Sequence, residues 1–334
     1  MSYNFDPELT PLLQLMPDSS QTIKDVEQAR EGFKKMTASM NKGIDDSGVI
    51  IEDRHVMGPP GAPDVPVRIY TPQGLLASVP AILHIHGGGF VIGNLDSEQS
   101  SCVALCQRLG VVVVSVDYRL APETPYPGPL EDCYAALQWT HANCEPLHID
   151  PARLAVSGVS AGGGLAAATA LLARDRSGPA ICFQYLGMPE LDDRLQTPSM
   201  QRFVDTPMWN RPNAEISWDY YLGDQYQRGA DDVPYYAAPA RAPDLSGLPP
   251  TYVSTMEFDP LRDEGVEYAL KLMQAGVATE LHSFPGTFHG SSIFASAQVS
   301  QRESKEMFAV LRRALQLDKQ QLDKQQPDNS QNDN

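Results

Sequence analysis

The chain has 334 residues, a formal net charge of −17 and 42% hydrophobic residues. This length and composition are typical of a globular protein with a large core, either one large α/β domain or a domain with a lid. The acidic excess excludes nucleic acid as a partner, because phosphates need a basic surface, and it disfavours an anionic membrane surface.

The five cysteines include no C-x-x-C pair. Cys102 and Cys106 lie one helical turn apart without a nearby His or Cys partner, so we predict no metal site and buried thiols in a reducing compartment. The N-terminus lacks the basic start and apolar run of a signal peptide, and no stretch reaches the roughly 18 apolar residues of a membrane span. We therefore expect a cytoplasmic protein without a membrane span.

The first part of the chain has the apolar spacing of helices, at steps of three and four residues between positions 6 and 42. Two β-like runs follow at Val49–Arg54 and Val65–Tyr70, joined by a link rich in Pro and Gly. The helical segment precedes the first strand, so it is expected to lie outside any repeating α/β unit.

From position 81 onward, predicted strands and helices alternate. The predicted strands are Ala81–Ile85, Val111–Val116, Arg153–Ser157, Ile181–Leu186, Thr251–Thr255 and Glu280–Phe284. The predicted helices are Ser100–Leu109, Leu130–Asn143, one that opens at Gly163, Gly265–Gln274 and Ala295–Leu315. This alternation predicts a mostly parallel sheet with helices on both faces.

A segment rich in Pro, Trp, Tyr and Met interrupts the alternation from Glu190 to Arg241. An insertion this long predicts a cap, which with the N-terminal helices would cover the carboxyl edge of the sheet. The alternative is that its aromatic residues form a core of their own. The predicted organisation is a cap part at 1–45, a core at 46–189 and 242–317, a cap insertion at 190–241 and a polar, disordered tail at 318–334.

Ser160 lies in Gly-Val-Ser-Ala-Gly, between an apolar strand and the opening of a helix. A serine flanked by glycines at such a sharp turn is typical of a nucleophile, because the turn holds the hydroxyl clear of the backbone. The alternative is a Ser/Gly-rich turn without a chemical role, and the residues below favour the nucleophile.

A serine nucleophile needs donors for the oxyanion that forms during attack. His86 is followed by three glycines and Phe90, directly after a predicted strand, and glycines let backbone N–H groups converge on a small anion. We assign the N–H groups of Gly88, Gly89 and Ala161 as these donors. A phosphate loop is excluded because neither of the two Gly-rich phosphate motifs is in register.

A serine nucleophile also needs a base and an orienting acid. His289 follows the last predicted strand, so it is the candidate base, whereas His86 is expected to order its own loop. Asp259 follows the strand Thr251–Thr255 and precedes a proline, which favours it as the acid. Glu257 is the alternative acid.

These motifs occur together with Asp117-Tyr118-Arg119-Leu120-Ala121-Pro122-Glu123 and Asp259-Pro260-Leu261-Arg262-Asp263, and the chain thereby resembles the hormone-sensitive-lipase-like esterases, bacterial family IV of the α/β-hydrolase superfamily. The resemblance implies an eight-stranded α/β-hydrolase sheet with a helical cap and the triad Ser160, Asp259 and His289. It also implies hydrolysis of small, short-acyl carboxylic esters through an acyl-enzyme, without a cofactor. Homodimers through the last strand and terminal helix are frequent in such esterases.

Three positions depart from the family pattern, Val159, Gly164 and Ser291, and they leave the substrate preference open. The candidate pocket residues are Phe90, Val159, Phe203, Met208 and Trp209. Two alternatives keep part of this interpretation: the same mechanism on lactones, amides or longer-chain lipid esters, and a ligand receptor on a hydrolase scaffold that has lost its activity.

Overall fold

A computed structural model describes residues 3–13 and 23–317 of the chain. The tail predicted at 318–334 and part of the N-terminal helical pattern, residues 14–22, lie outside these described residues. In the part that the structure describes, none of the helices combines the length and the apolar character that crossing a bilayer requires.

The described residues form one eight-stranded sheet in the order β1-β2-β4-β3-β5-β6-β7-β8. The strands are β1 Val49–Val56, β2 Val65–Pro72, β3 Val79–Ile85, β4 Val112–Val116, β5 Ile149–Val159, β6 Phe183–Gly187, β7 Thr251–Phe258 and β8 Thr279–Phe288. Pairing is antiparallel from β1 to β2 and from β2 to β4, and parallel across the rest. The predicted eight-stranded, mostly parallel sheet is confirmed.

Helices cover both faces of this sheet. They are α1 Thr10–Leu13, α2 Val26–Met40, α3 Gln99–Leu109, α4 Gly128–Ala142, α5 Ala161–Asp175, α6 Pro198–Arg202, α7 Arg211–Leu222, α8 Arg262–Gln274 and α9 Gln298–Ala314. One apolar core joins the sheet to α4, α5 and α8, and a second joins it to α3 and α9. With both faces covered, a central strand is fully buried and mostly apolar, as β4 is with four valines and Ser115.

The N-terminal and inserted segments meet the core at the carboxyl edge of the strands. From α2, the Arg30 guanidinium donates to the Val91 carbonyl at 2.9 Å and to the Ala121 carbonyl at 3.0 Å. From α7, the Tyr220 hydroxyl donates to the Lys24 carbonyl at 3.4 Å, which joins the two segments. The domain boundaries themselves stay predictions.

Beneath the sheet, Glu303 on α9 is buried, and one of its carboxyl oxygens has no hydrogen-bond partner among the described residues. Burial, and then the neighbouring Glu306 carboxylate, raise the pKa of Glu303 to about 8. The folded chain therefore keeps a proton that the unfolded chain releases near the ordinary pKa of 4.5. The stability of the fold consequently falls as the pH rises from about 4.5 to about 8 through this group.

We expect Glu303→Gln to remove this fall, because an amide does not ionise. In urea titrations, the free energy of unfolding of the variant minus that of the wild type is expected to increase across this pH range, by up to about 1.4 kcal/mol per pH unit. It is expected to level off above about pH 8. A difference that does not change with pH would contradict this assignment.

Candidate active site

Ser160 occupies the turn between β5 and α5. Its backbone has φ 56° and ψ −125°, a conformation that non-glycine residues rarely adopt and that costs energy. The backbone on either side over-determines it: the Ser160 N–H donates to the Gly187 carbonyl at 2.8 Å, and its carbonyl accepts from the N–H groups of Gly164 and Glu190, both at 3.0 Å. The turn is thus held rigidly by bonds that do not involve the hydroxyl.

The glycines around this turn are required by close backbone approach. A Cβ on Gly162 would lie 2.2 Å from the Ile85 carbonyl oxygen and 2.4 Å from that of His86. A Cβ on Gly158 would lie 2.1 Å from the Gly162 carbonyl oxygen. No side chain fits at these distances, so the end of β3 can lie directly against the first turn of α5.

The structure brings the three predicted triad side chains into one hydrogen-bonded line. The Ser160 hydroxyl lies 2.9 Å from Nε2 of His289, and Nδ1 of His289 lies 2.7 Å from a carboxylate oxygen of Asp259. All three residues are buried, and the other Asp259 oxygen accepts from the Leu261 N–H at 2.9 Å. An ionised Asp259 requires the hydrogen on Nδ1, which leaves Nε2 as an acceptor for the serine proton.

Glu257, the alternative acid, is placed elsewhere. Its carboxylate accepts a hydrogen bond from the Gly286 N–H at 2.6 Å, so it bridges the ends of β7 and β8. The two candidate carboxylates therefore have different partners, and Asp259 is the one that contacts His289.

Two peptide groups of the glycine loop are oriented by bonds to their carbonyls. Nδ1 of His86 lies 2.8 Å from the Gly87 carbonyl oxygen, and the Gly88 carbonyl accepts from the N–H groups of Val91 and Ile92 at 3.0 Å. In a trans peptide the N–H points opposite to the C=O. The N–H groups of Gly88 and Gly89 therefore point away from these bonds, and neither has a partner within the described residues.

His86 is built into this loop as a neutral donor. It is fully buried and stacked on Tyr118 with ring centroids 4.2 Å apart, and burial lowers its pKa to about 4. A neutral imidazole that contacts a carbonyl oxygen must donate from that nitrogen. This arrangement agrees with the prediction that His86 orders the loop.

The third predicted donor, Ala161, is the first residue of α5. The first N–H groups of a helix have no intrahelical acceptor, so this one is free to bind an anion and has the positive end of the helix dipole behind it. A Cβ on Gly87 would lie 3.4 Å from the Ser160 Cβ, which shows that the glycine loop lies over the same turn.

The five candidate pocket residues have different surroundings. The Trp209 ring centroid lies 5.9 Å from that of His289, and its six-membered ring would be 2.5 Å from a Cβ on Gly89. Met208 Sδ would lie 3.3 Å from a Cβ on Gly290. These two inserted residues therefore border the triad and the glycine loop.

The other three pocket candidates pack against neighbouring residues of the fold. Val159 side-chain atoms lie near the backbone of Gly87. Phe90 stacks on Tyr221 with centroids 4.0 Å apart, and Phe203 packs edge-to-face with Phe258. Phe90 and Phe203 are each 1% exposed, so both side chains are used for packing and a pocket role for them stays a prediction.

Two further residues lie against the site and were missed from the sequence. Glu190 follows β6 and is fully buried, although a Glu within Pro-Glu-Leu-Asp-Asp reads as a polar loop. Ser217 on α7 donates to the Gly89 carbonyl at 2.9 Å. No local pattern in the sequence signals either contact.

Among residues 3–13 and 23–317, His, Cys, Asp and Glu form no group of three that could hold a metal ion.

Comparison with known proteins adds independent evidence. A family model described as alpha/beta hydrolase fold matches residues 82–293. Carboxylesterase NlhH of Mycobacterium tuberculosis is 38% identical over 313 residues, which are 93% of this chain and 97% of that relative. The structure of a bacterial heroin esterase is 53% identical with a TM-score of 0.91, and the match covers 93% of this chain and 98% of that one.

Esterase LipW from Mycobacterium marinum is a further solved relative, 38% identical with a TM-score of 0.83 over 93% of this chain and 95% of its own. These matches extend over the sheet, the glycine loop and the serine turn together. The chain therefore belongs to the α/β-hydrolase fold family and is a serine carboxylic ester hydrolase of the hormone-sensitive-lipase-like branch.

Proposed function

We propose that this chain hydrolyses small, short-acyl carboxylic esters through an acyl-enzyme, with Ser160 as nucleophile, His289 as general base and Asp259 as orienting acid. The observation that carries the proposal is the unbroken path from the Ser160 hydroxyl through both nitrogens of His289 to Asp259, with steps of 2.9 and 2.7 Å. A serine hydroxyl attacks at neutral pH only when such a base removes its proton.

In the first half-reaction, the Ser160 oxygen bonds to the ester carbonyl carbon while its proton passes to Nε2 of His289. Asp259 stabilises the resulting imidazolium and holds it in the productive orientation. The tetrahedral intermediate collapses, the C–O bond to the alcohol breaks, and the alcohol leaves with the proton from His289. Water then attacks the acyl-enzyme through the same base and releases the acid.

The negative charge of each tetrahedral intermediate falls on the former carbonyl oxygen. The N–H groups of Gly88, Gly89 and Ala161 are the donors that we assign to it, supported by the orientation of the glycine loop and by the start of α5. Loss of one such donor typically costs about 3 kcal/mol of transition-state stabilisation.

The substrate size is inferred from the residues that border the site. Trp209 and Met208 lie close to the glycine loop and to Gly290, so bulky inserted side chains limit the space beside the nucleophile. We expect kcat/KM for p-nitrophenyl esters to be highest from acetyl to butyryl and to fall steeply by lauroyl and palmitoyl. An amide and a lactone complete the panel, and a preference for palmitoyl would overturn the short-acyl assignment.

The heroin esterase relative adds a second axis to this panel, the size of the alcohol. Acetyl esters of a small alcohol and of a bulky polycyclic alcohol have the same acyl group, so their kcat/KM ratio isolates the alcohol site. Both esters form the same acetyl-enzyme, so a difference in kcat/KM arises in the step in which the alcohol leaves. We expect the bulky ester to be hydrolysed, since the heroin esterase is 53% identical to this chain.

We further propose a cytoplasmic homodimer. The cysteines of the described residues are free thiols, and four of the five are buried, which suits a reducing compartment. Strand β8 lies at the edge of the sheet, and its residues 279–284, before the bonds of Gly286 to Asp6 and Glu257, offer an edge that a second copy can pair. Light scattering at twice the mass of one chain is the expected result, and a monomer at micromolar concentration would contradict it.

A further inference from the structure

Glu190 is a buried acid that the triad does not use. It is fully buried, and neither carboxyl oxygen has a well-formed hydrogen bond within the described residues. Its backbone is part of the site, because its N–H donates to the Ser160 carbonyl at 3.0 Å and its carbonyl oxygen would lie 2.1 Å from a Cβ on Gly164. An ionised carboxylate without partners is costly in such surroundings.

The groups around this carboxyl favour its neutral form. The pKa of Glu190 is raised to about 8: burial is the main cause, the Ser217 hydroxyl opposes the rise, and the nearby Asp259 carboxylate adds to it. The other titratable groups that act on it are the Glu264 carboxyl from α8 and two buried tyrosines, Tyr118 after β4 and Tyr221 on α7.

Across Asp259 lies His289, whose Nδ1 is 2.7 Å from the Asp259 carboxylate. Helix α5, which packs against Glu190, contributes only apolar residues in its first turns. At neutral pH the side chain is therefore a carboxylic acid, with one O–H to donate.

Ser217 connects this acid to the glycine loop. The Ser217 side chain is fully buried, and its hydroxyl donates to the Gly89 carbonyl at 2.9 Å. Gly89 has φ +56° and no side chain of its own, so contacts from outside must fix its orientation. With its single hydrogen used on Gly89, the Ser217 oxygen can still accept a hydrogen bond.

We propose that Glu190 is a positioning residue of the oxyanion loop, which as a neutral carboxylic acid donates to Ser217 and thereby keeps the Ser217 hydroxyl directed at the Gly89 carbonyl. The inference rests on the proposed function, because it assigns Gly89 to the oxyanion site. When base removes the Glu190 proton, the carboxylate becomes an acceptor that competes with Gly89 for the one Ser217 hydrogen. The loop then loses a tether, so turnover falls as the pH rises.

The test is the pH profile of kcat for p-nitrophenyl acetate between about pH 6 and pH 10, normalised to sites titrated with a fluorophosphonate. For the wild type we expect kcat to fall about fivefold above about pH 8, with little change in KM. Glu190→Gln keeps a donor that does not ionise, so it is expected to retain kcat at neutral pH and to lose the alkaline fall. Glu190→Leu removes the donor and is expected to lower kcat about fivefold at neutral pH.

Glu303→Gln is the matched control. It replaces the other buried Glu whose pKa lies near 8, on the opposite face of the sheet, and is expected to leave the alkaline fall unchanged. Ser217→Ala is the second test variant. It tests the role of the Glu190–Ser217 contact if circular dichroism shows that the Glu190 variants do not fold. It is expected to lower kcat about fivefold at neutral pH and to flatten the profile.

The inference is overturned if the Glu190→Gln profile superimposes on that of the wild type, or if Ser217→Ala retains both full kcat and the alkaline fall. Failure of the proposed function gives a different result. In that case the wild type itself would not be acylated at Ser160 by the fluorophosphonate, whatever the behaviour of residue 190.

Discussion

Ser160→Ala is expected to lower kcat/KM for p-nitrophenyl acetate by about 10⁵-fold or more, because it removes the atom that becomes covalently bound to the acyl group. The residual rate would come from the backbone donors and from substrate binding. The fold should survive, since the bonds that hold this turn use the backbone N–H and carbonyl of residue 160. Steady-state kinetics measure the loss of kcat/KM, and fluorophosphonate labelling measures the loss of the reactive hydroxyl.

Ser157→Ala is the matched control for this variant. Ser157 is a buried serine of β5, three residues before Ser160, and it makes no hydrogen bond with His289 or Asp259. We expect it to be labelled and to turn over ester like the wild type. If Ser160→Ala hydrolysed short esters at the wild-type rate, the assignment of the nucleophile would be wrong.

Asp259→Asn is expected to lower kcat by about 10⁴-fold with the fold intact. The aspartate oxygen lies 2.7 Å from Nδ1 of His289, where it requires a hydrogen on that nitrogen. An amide nitrogen at the same place favours the opposite tautomer, in which Nε2 carries the hydrogen and cannot accept the serine proton. Kinetics with the same acetyl ester measure the loss.

Glu257→Gln tests the alternative acid in parallel. Its carboxylate accepts from the Gly286 N–H, a bond that the amide oxygen of Gln can preserve, so we expect kcat within about threefold of the wild type. A loss after Glu257→Gln that exceeds the loss after Asp259→Asn would reverse the assignment of the two carboxylates.

The strands were predictable where burial on both faces leaves a mostly apolar run, as in β4, in which Ser115 is the one polar residue. The boundaries were less so. Strand β8 continues to Phe288, past Pro285 and Gly286, which as a pair predict a turn. An edge strand tolerates proline because one side of it has no ladder partner, and Gly286 is held from outside by Glu257 and by the Asp6 N–H, which donates to its carbonyl at 2.8 Å.

The placement of the triad candidates was predictable because each follows the end of a strand, and parallel strands bring those ends to one edge. The surroundings of the site were not. An aromatic residue has the same sequence signature whether it packs, as Phe90 does on Tyr221, or borders a site, as Trp209 does beside His289. Glu190 interacts with Ser217 on α7 and with Glu264 on α8, which are distant in the chain, so its surroundings are long-range information.

The glycine contacts at the serine turn have a consequence for directed evolution of this enzyme. A Cβ atom added at Gly158 or Gly162 would lie 2.1 or 2.2 Å from a backbone oxygen, far closer than two non-bonded atoms can approach. Randomised libraries at these codons would therefore return almost no folded clones. Codons for Met208 and Trp209, by contrast, encode side chains presented by a segment outside the sheet. Laboratory selection for activity on new esters should therefore vary codons of the insertion and leave the glycines of the serine turn unchanged.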